Sequence, residues 1–257
     1  GSPAPSIPPV AYRNGVLPLD LRTNQTRWVA CPDEARTCLS REQLDLAHDV
    51  AENSRAMTPL TSSKYKRCKR YNVPGHAHEL TFTCFRRFKL LSKDRTRWWL
   101  LDAIDRARSR YAYDVWAYAV MPEHVHLLIF PRERVYSISR ILTAIKWPVA
   151  RAALNYLRAN GSPWIERLTD RQPNGRLTVR FWQRGGGYDR NITKESTLYE
   201  AIQYIHDNPV RRGLADCSTD WDWSSAAWYE GKRNVPLSMD DTLPVMRPDG
   251  RRKHVRP

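Results

Sequence analysis

Two histidines separated by one apolar residue stand in Met121-Pro122-Glu123-His124-Val125-His126-Leu127-Leu128-Ile129-Phe130. In a β-strand, successive side chains point to opposite faces and the chain rises about 3.3 Å per residue, which sets His124 and His126 on one face roughly 6.6 Å apart. Two imidazoles at that spacing can converge on one metal ion. Val125, Leu127 and Ile129 then share the opposite face and suit a hydrophobic core, so the strand reads as half core and half site. The pair alone is a weak signal, because histidines in strands are more often structural than ligating. A second pair, His76 and His78, follows the Pro74-Gly75 turn signal and leads into the alternating run Leu80-Thr81-Phe82-Thr83-Cys84-Phe85; it reads as a turn and the start of a strand.

The segment from Lys194 to Asn208 has helical spacing, with Leu198, Ile202 and Ile205 at i, i+4 and i+7 forming a core face. Tyr204 and Asn208, at i and i+4, share an adjoining face, so a phenol and an amide can approach one ligand together. Combined with His124 and His126, they suggest a two-histidine, one-amide metal site with a phenol beside it. Such a set leaves positions for water or phosphate oxygens on octahedral Mg²⁺ or Mn²⁺. An ion there would polarise a phosphodiester. A phenol ordinarily ionises near pH ~10 and needs that help, or a base, to become a nucleophile. Its attack would leave a phosphotyrosine and a free 3′ hydroxyl. For Asn208 the competing reading is a C-cap amide before Pro209. Tyr199 lies about 140° around the helix from Tyr204 and cannot form a same-face pair with it. Tyr188 precedes the helix. His206 lies off the face of Tyr204 and reads as a surface or substrate contact, and Glu123 points away from the histidine face of a regular strand, which leaves it a supporting role.

These residues need elements to hold them. From about Lys64 to Gly231 the pattern runs strand, helix, strand, strand, helix and a mixed tail. A strand is expected near 78–86 and a helix near 93–109, apolar at Trp98, Leu101, Ile104 and Ala107. A strand at 112–120 should pair antiparallel with the His124 strand. Ile138, Ile141, Leu142 and Ile145 predict another helix, which Pro148 should kink or divide before Ala152 to Leu157. The last helix should start near Thr193 as N-cap and stop at Asn208-Pro209, since proline disfavours helical geometry in the residue before it. The order suits an α+β sandwich with an antiparallel sheet. Three regions follow: an N-terminal extension over 1–60, a main domain over 61–232 and a basic tail over 233–257. The extension carries a capping box, Ser40-Arg41-Glu42-Gln43, stapled by Leu39 and Leu44, with a helix expected over 41–54.

Charge narrows the partner. Among 257 residues, 42 Lys and Arg face 27 Asp and Glu, a net charge of +15 that calls for a polyanion. Basic and aromatic residues interleave in Lys64-Tyr65-Lys66-Arg67-Cys68-Lys69-Arg70-Tyr71, Arg95-Thr96-Arg97-Trp98-Trp99 and the run from Arg106 to Tyr111, as suits single strands whose bases stack on rings. No run of 18 apolar residues spans a membrane. The five cysteines form no C-x-x-C knuckle, so reduced thiols and a cytoplasmic setting are expected; Cys31 and Cys38 are a weak metal-ligand pair.

Together, Met121-Pro122-Glu123-His124-Val125-His126-Leu127, Phe181-Trp182-Gln183, Tyr188-Asp189-Arg190-Asn191-Ile192, Tyr204-Ile205-His206-Asp207-Asn208-Pro209-Val210-Arg211-Arg212-Gly213-Leu214 and Trp223-Ser224-Ser225 resemble the REP-associated tyrosine transposases. These are domesticated relatives of the single-tyrosine HUH transposases of small insertion sequences. Arg70-Tyr71-x-x-Pro74-Gly75 also fits, and the resemblance spans about residues 64–231. It implies a ferredoxin-like antiparallel sheet with helices packed on it, the HUH endonuclease domain. Tyr204 would be the nucleophile, and His124, His126 and Asn208 would be ligands of a divalent ion, Mg²⁺ or Mn²⁺. The implied activity is cleavage and rejoining of single-stranded DNA beside palindromic hairpins through a 5′-phosphotyrosine, in the cytoplasm at the nucleoid, with no small-molecule substrate. Lys64, Lys66, Arg67, Lys69, Arg70, Arg86, Arg87, Arg211 and Arg212 would contact the DNA. Gly185-Gly186-Gly187 departs from the expected pattern as a more flexible turn. The rival reading is a hairpin-binding DNA or RNA protein that keeps the fold without catalysis.

Overall fold

The computed structural model describes residues 70–244. The capping box and helix expected over 41–54, the cysteines at 31, 38 and 68, the basic positions Lys64, Lys66, Arg67 and Lys69, and the tail from Arg247 lie outside the described residues.

The chain order is β1 (Ala77–Thr83), α1 (Asp94–Tyr111), β2 (Tyr113–Val120), β3 (His124–Pro131), α2 (Ile138–Ala159), a single turn α3 (Trp164–Arg167), the short β4 (Thr169–Arg171) and β5 (Leu177–Val179), β6 (Tyr188–Ile192), α4 (Glu195–Arg211) and a last turn α5 (Ala226–Tyr229). The main sheet has the order β2-β3-β1-β6 and every pair in it is antiparallel, while β4 and β5 form a separate ribbon. This is the βαββαβ ferredoxin-like arrangement, with the β4–β5 ribbon inserted before the final strand and α4 added after it.

Register divides the sheet into two faces. His124 stands opposite Thr83 and His126 opposite Thr81, while Val125 faces Phe82 and Leu127 faces Leu80. Directly opposed residues share a face. Phe82, Leu80, Val125, Leu127 and Ile129 therefore form one side, in a single buried cluster with Leu100, Leu101 and Ile104 of α1 and Ile138, Ile141, Leu142 and Ile145 of α2. Helix α4 packs on β2 and β3 with Leu198, Ala201, Ile202 and Ile205 buried. The core half of β3 is as expected, and both histidines lie on its other face.

Several expectations are corrected. Helix α2 is not divided at Pro148. The ring removes one backbone bond, but the apolar stripe continues across it through Val149 and Ala153, both buried, and this packing holds the helix together. Helix α4 begins at Glu195 with Lys194 at its N-cap and passes through Pro209 to Arg211. Asn208 and Pro209 are both buried there, and the turn closes with Arg212 N–H donating to the Asn208 carbonyl at 3.1 Å. Asn208 is thus a residue of the helix and not its C-cap. Trp98 is half exposed, and its ring meets Trp223 edge-on; Leu100 and Leu101 carry that part of the core. Cys84 is free and buried, as expected of a reduced thiol.

Candidate active site

Strand β3 sends both imidazoles toward the α4 side of the sheet, and their Nε2 atoms stand 3.0 Å apart with the rings nearly perpendicular, at 82°. Each ring is steadied through its other nitrogen. Glu123 Oε1 lies 3.2 Å from His124 Nδ1, and Thr81 Oγ1 lies 3.0 Å from His126 Nδ1. An ionised carboxylate only accepts, so His124 carries its proton on Nδ1 and presents a bare lone pair at Nε2. Burial lowers the pKa of both rings. That of His126 falls to about 3 through desolvation first and then His124, opposed by a hydrogen bond to the Asn208 side chain. Both imidazoles are therefore neutral near pH 7, the form that binds metals.

The geometry also suits a shared ion. Two donors at right angles, each about 2.1 Å from one octahedral ion, stand about 3.0 Å apart. Among the described residues no three His, Cys, Asp or Glu side chains form a metal cluster. The donor set available here is two imidazoles and the amide of Asn208, which leaves open positions suited to water or phosphate oxygens.

Helix α4 supplies the remainder. The Tyr204 ring meets His126 edge-on, with centroids 5.7 Å apart, and is 43% exposed, so it borders both that imidazole and solvent. Asn208, one turn on, is buried and donates its amide to the Tyr204 carbonyl at 2.7 Å. The structure brings together the four residues singled out for chemistry. Tyr199 is engaged elsewhere, donating its hydroxyl to the Pro244 carbonyl at 2.6 Å. Tyr188 stands opposite Thr81 and is half exposed on the site's face.

Two side chains sit differently from expectation. Glu123 precedes β3, so strand alternation does not govern it; it is buried, holds His124, and accepts from Arg212 Nη2 at 2.9 Å, with Arg87 at 3.7 Å. His206 is buried, not a surface contact. Its Nε2 lies 2.8 Å from Ser225 Oγ, which also accepts from the Tyr118 N–H. The Trp223-Ser224-Ser225 motif thus ties α4 to β2.

The basic residues divide. Arg211 lies over the Tyr204 ring at 5.4 Å, and Arg87 and Arg212 gather on Glu123. Arg86 and Arg87 both have positive φ, 52° and 56°, a conformation pinned where the Arg86 N–H donates to Gln183 Oε1 at 3.0 Å. Gln183 was visible only as part of a motif; its task appears with the turn it holds. Arg70 is remote from this group, pairing with Asp189 at 3.3 Å and donating to the Gly186 carbonyl at 2.6 Å.

Over residues 72–208, more than half of the 257, the sequence matches the family described as Transposase IS200 like. The chain belongs to the IS200-like transposases. A Haemophilus influenzae relative named as a REP-associated tyrosine transposase is 25% identical over 145 residues, covering 54% of this chain and 77% of the relative. A solved REP-associated tyrosine transposase bound to a REP hairpin is 21% identical with a TM-score of 0.49, covering 75% of this chain and 99% of that one. A transposase structure from Deinococcus radiodurans is 20% identical with a TM-score of 0.33, covering 56% and 97%. No helix of the described part of this IS200-like transposase is long and apolar enough to cross a membrane.

Proposed function

We propose that this IS200-like transposase cuts and rejoins single-stranded DNA at palindromic, REP-like hairpins, with Tyr204 as nucleophile and His124, His126 and Asn208 as ligands of Mg²⁺ or Mn²⁺. The observation that carries the reading is the 3.0 Å convergence of the two Nε2 atoms, with Tyr204 seated against His126 on the same side of the sheet. Family membership and the name of the Haemophilus relative support the substrate class.

In the cleavage step the Tyr204 phenol gives up its proton to water and its oxygen bonds to the scissile phosphorus. The bond from phosphorus to the 3′ oxygen breaks, and that oxygen takes a proton from water. A bound divalent ion supplies Lewis-acid polarisation of the phosphate. Arg87, Arg211 and Arg212 lie where they can oppose the charge that builds on the phosphate oxygens. The product keeps a phosphodiester in the 5′-phosphotyrosine, so attack by another 3′ hydroxyl reverses the step and joins strands without an external energy source. Glu123 and Thr81 orient the imidazoles, and Asn208 fixes Tyr204 through its backbone. Arg70 is outside this group and is not assigned to the scissile phosphate.

The test is incubation with single-stranded hairpin DNA from the gene's own neighbourhood and Mn²⁺ or Mg²⁺, followed by a denaturing gel. A protein-DNA adduct that maps to Tyr204 and vanishes in Tyr204→Phe and His124→Ala is the expected result. Tight hairpin binding with cleavage retained in Tyr204→Phe would replace the covalent scheme by metal-dependent hydrolysis. Tight binding with neither cleavage nor adduct would make the chain a binding protein.

A further inference from the structure

On the face of the sheet opposite the active site, a cavity of about 400 Å³ lies between α2 and residues 179–186. Its wall includes Lys146, Trp147, Trp182, Arg70 and Arg180. We propose that this cavity is a second DNA site that accepts one unstacked nucleotide of the bound single strand, its base on the Trp147 indole and its phosphate at the Lys146 ammonium.

Charge makes the first argument. Two of the three cations are already matched: Arg70 pairs with Asp189 at 3.3 Å and Arg180 with Asp170 at 2.6 Å. Lys146 has no carboxylate partner among the described residues. Its Nζ reaches only the Gly185 carbonyl, at 3.5 Å, and lies 5.9 Å from the Phe82 and Trp182 ring centroids. Burial, and then the nearby Arg70, lower its amine to about 8. A half-buried ammonium beside a guanidinium, with no anion supplied by the described residues, is suited to an anion from outside. The helix that carries it has no acidic residue from Ile138 to Ala159.

Shape and surface make the second. Trp147 is 59% exposed with the Arg151 guanidinium 5.2 Å over its ring, an indole left open at the mouth of a basic cavity. A base offers a flat π-face to such a ring whatever its identity, and the pairing of stacking platform and backbone cation is how single strands are held. Trp182 is fixed as a rear wall by its Nε1–H donating to the Lys146 carbonyl at 2.8 Å. Gly186 keeps the opposite rim low: a Cβ there would lie 1.8 Å from the Arg70 guanidinium.

Position makes the third. Gly185 and Gly186 edge the cavity, and two residues later Tyr188 stands opposite Thr81, whose hydroxyl touches His126. The loop therefore rounds the β6 edge of the sheet from cavity to active site. A strand held at both would cross that edge, a distance on the order of 10 Å, the spacing of packed layers.

The proposal rests on the reading of the chain as a single-strand DNA enzyme only for the identity of the ligand. Its test uses full-length protein carrying Tyr204→Phe, bound to single-stranded DNA with 5-iodouracil in place of thymine and photocrosslinked, with the adducts mapped by mass spectrometry. Crosslinks at Trp147 are expected. Binding measured across a salt series should lose about tenfold in affinity for Trp147→Ala, the effect of one lost stacking contact. Lys146→Met should lower the slope of log affinity against log salt by about 0.7, the loss of one phosphate contact, and Lys146→Arg should restore it. Crosslinks confined to other residues, or unchanged affinity and slope in these variants, would overturn the proposal. Trp147→Ala removes an exposed side chain, so it remains informative if Lys146→Met does not fold. Adduct formation by the single variants with Tyr204 intact is scored separately: a Tyr204 adduct without crosslinks at Trp147 leaves the active site standing and removes the second site, and the converse result does the opposite.

Discussion

If His124 and His126 ligate a metal ion as proposed, a proton and the ion compete for them, and the residue that biases the outcome is Glu123. Its carboxylate keeps the His124 proton on Nδ1 and leaves Nε2 free, while Thr81 holds the other ring. Partners that orient ligating imidazoles typically account for 10–100-fold in metal affinity or activity. Glu123→Gln keeps the shape of the side chain but offers an amide in place of an obligate acceptor, so Mn²⁺ affinity measured by calorimetry should fall by roughly 10-fold or more. Unchanged affinity would remove Glu123 from the site's function. The contrast between these residues explains what a sequence discloses. His124, His126, Tyr204 and Asn208 are legible because strand and helix periods alone decide which side chains share a face. Thr81 depends on the register between β1 and β3, a long-range fact with no local signal. Glu123 keeps the supporting role expected of it but not the expected direction, because the alternation rule does not extend to a residue that precedes the strand.

At the scale of elements, β6 and the segment before β1 are fastened by a buried chain of polar contacts. His78 Nδ1 lies 2.8 Å from Asp189 Oδ1 and its Nε2 lies 2.8 Å from the Tyr136 hydroxyl, which donates to the Val73 carbonyl at 2.8 Å. Tyr136→Phe removes both contacts of that hydroxyl and leaves the buried His78 Nε2 unpaired, so the urea midpoint should fall by an amount equivalent to about 1–3 kcal/mol. Gly187 makes the stricter demand. Its φ is +74°, and a Cβ would lie 2.1 Å from the Thr81 carbonyl oxygen, in backbone that also carries the residue supporting His126. Gly187→Ala should cost at least about 1–3 kcal/mol, the ordinary penalty for a left-handed non-glycine residue, with the steric clash in addition. It should also lower adduct yield through Thr81; a melting temperature equal to wild type would refute the packing argument. The glycine triplet read as loose from sequence because composition reports freedom in the unfolded chain, whereas neighbours decide what freedom remains. Pro148 and Pro209 teach the same lesson: a proline weakens a helix locally, and the buried stripe on either side decides whether the helix survives.

For the whole molecule, acid should act through buried histidines before it acts through the basic surface. Burial lowers His206 to about 3, and His126 also lies at about 3, against an ordinary histidine value near 6.5. Below pH ~6.5 the unfolded chain binds protons at these rings while the folded chain does not, so the folded state loses ground as pH falls from about 6.5 toward 3. Above pH ~6.5 both states hold the rings neutral, and this contribution to stability is fully present. Within the window each such ring contributes a slope of up to about 1.4 kcal/mol per pH unit. Urea midpoints measured from neutral to acidic pH should therefore drop steadily below pH ~6.5. His206→Gln, which cannot titrate and can still reach Ser225, should start from a lower midpoint at neutral pH and show a shallower acid slope. Added Mn²⁺ should raise the midpoint of the wild type at neutral pH and progressively less in acid, because ligation requires the deprotonated rings. A slope equal in the wild type and His206→Gln would mean that His206 is protonated in the folded protein, which would contradict its burial among Ser225, Tyr229 and the β2 backbone.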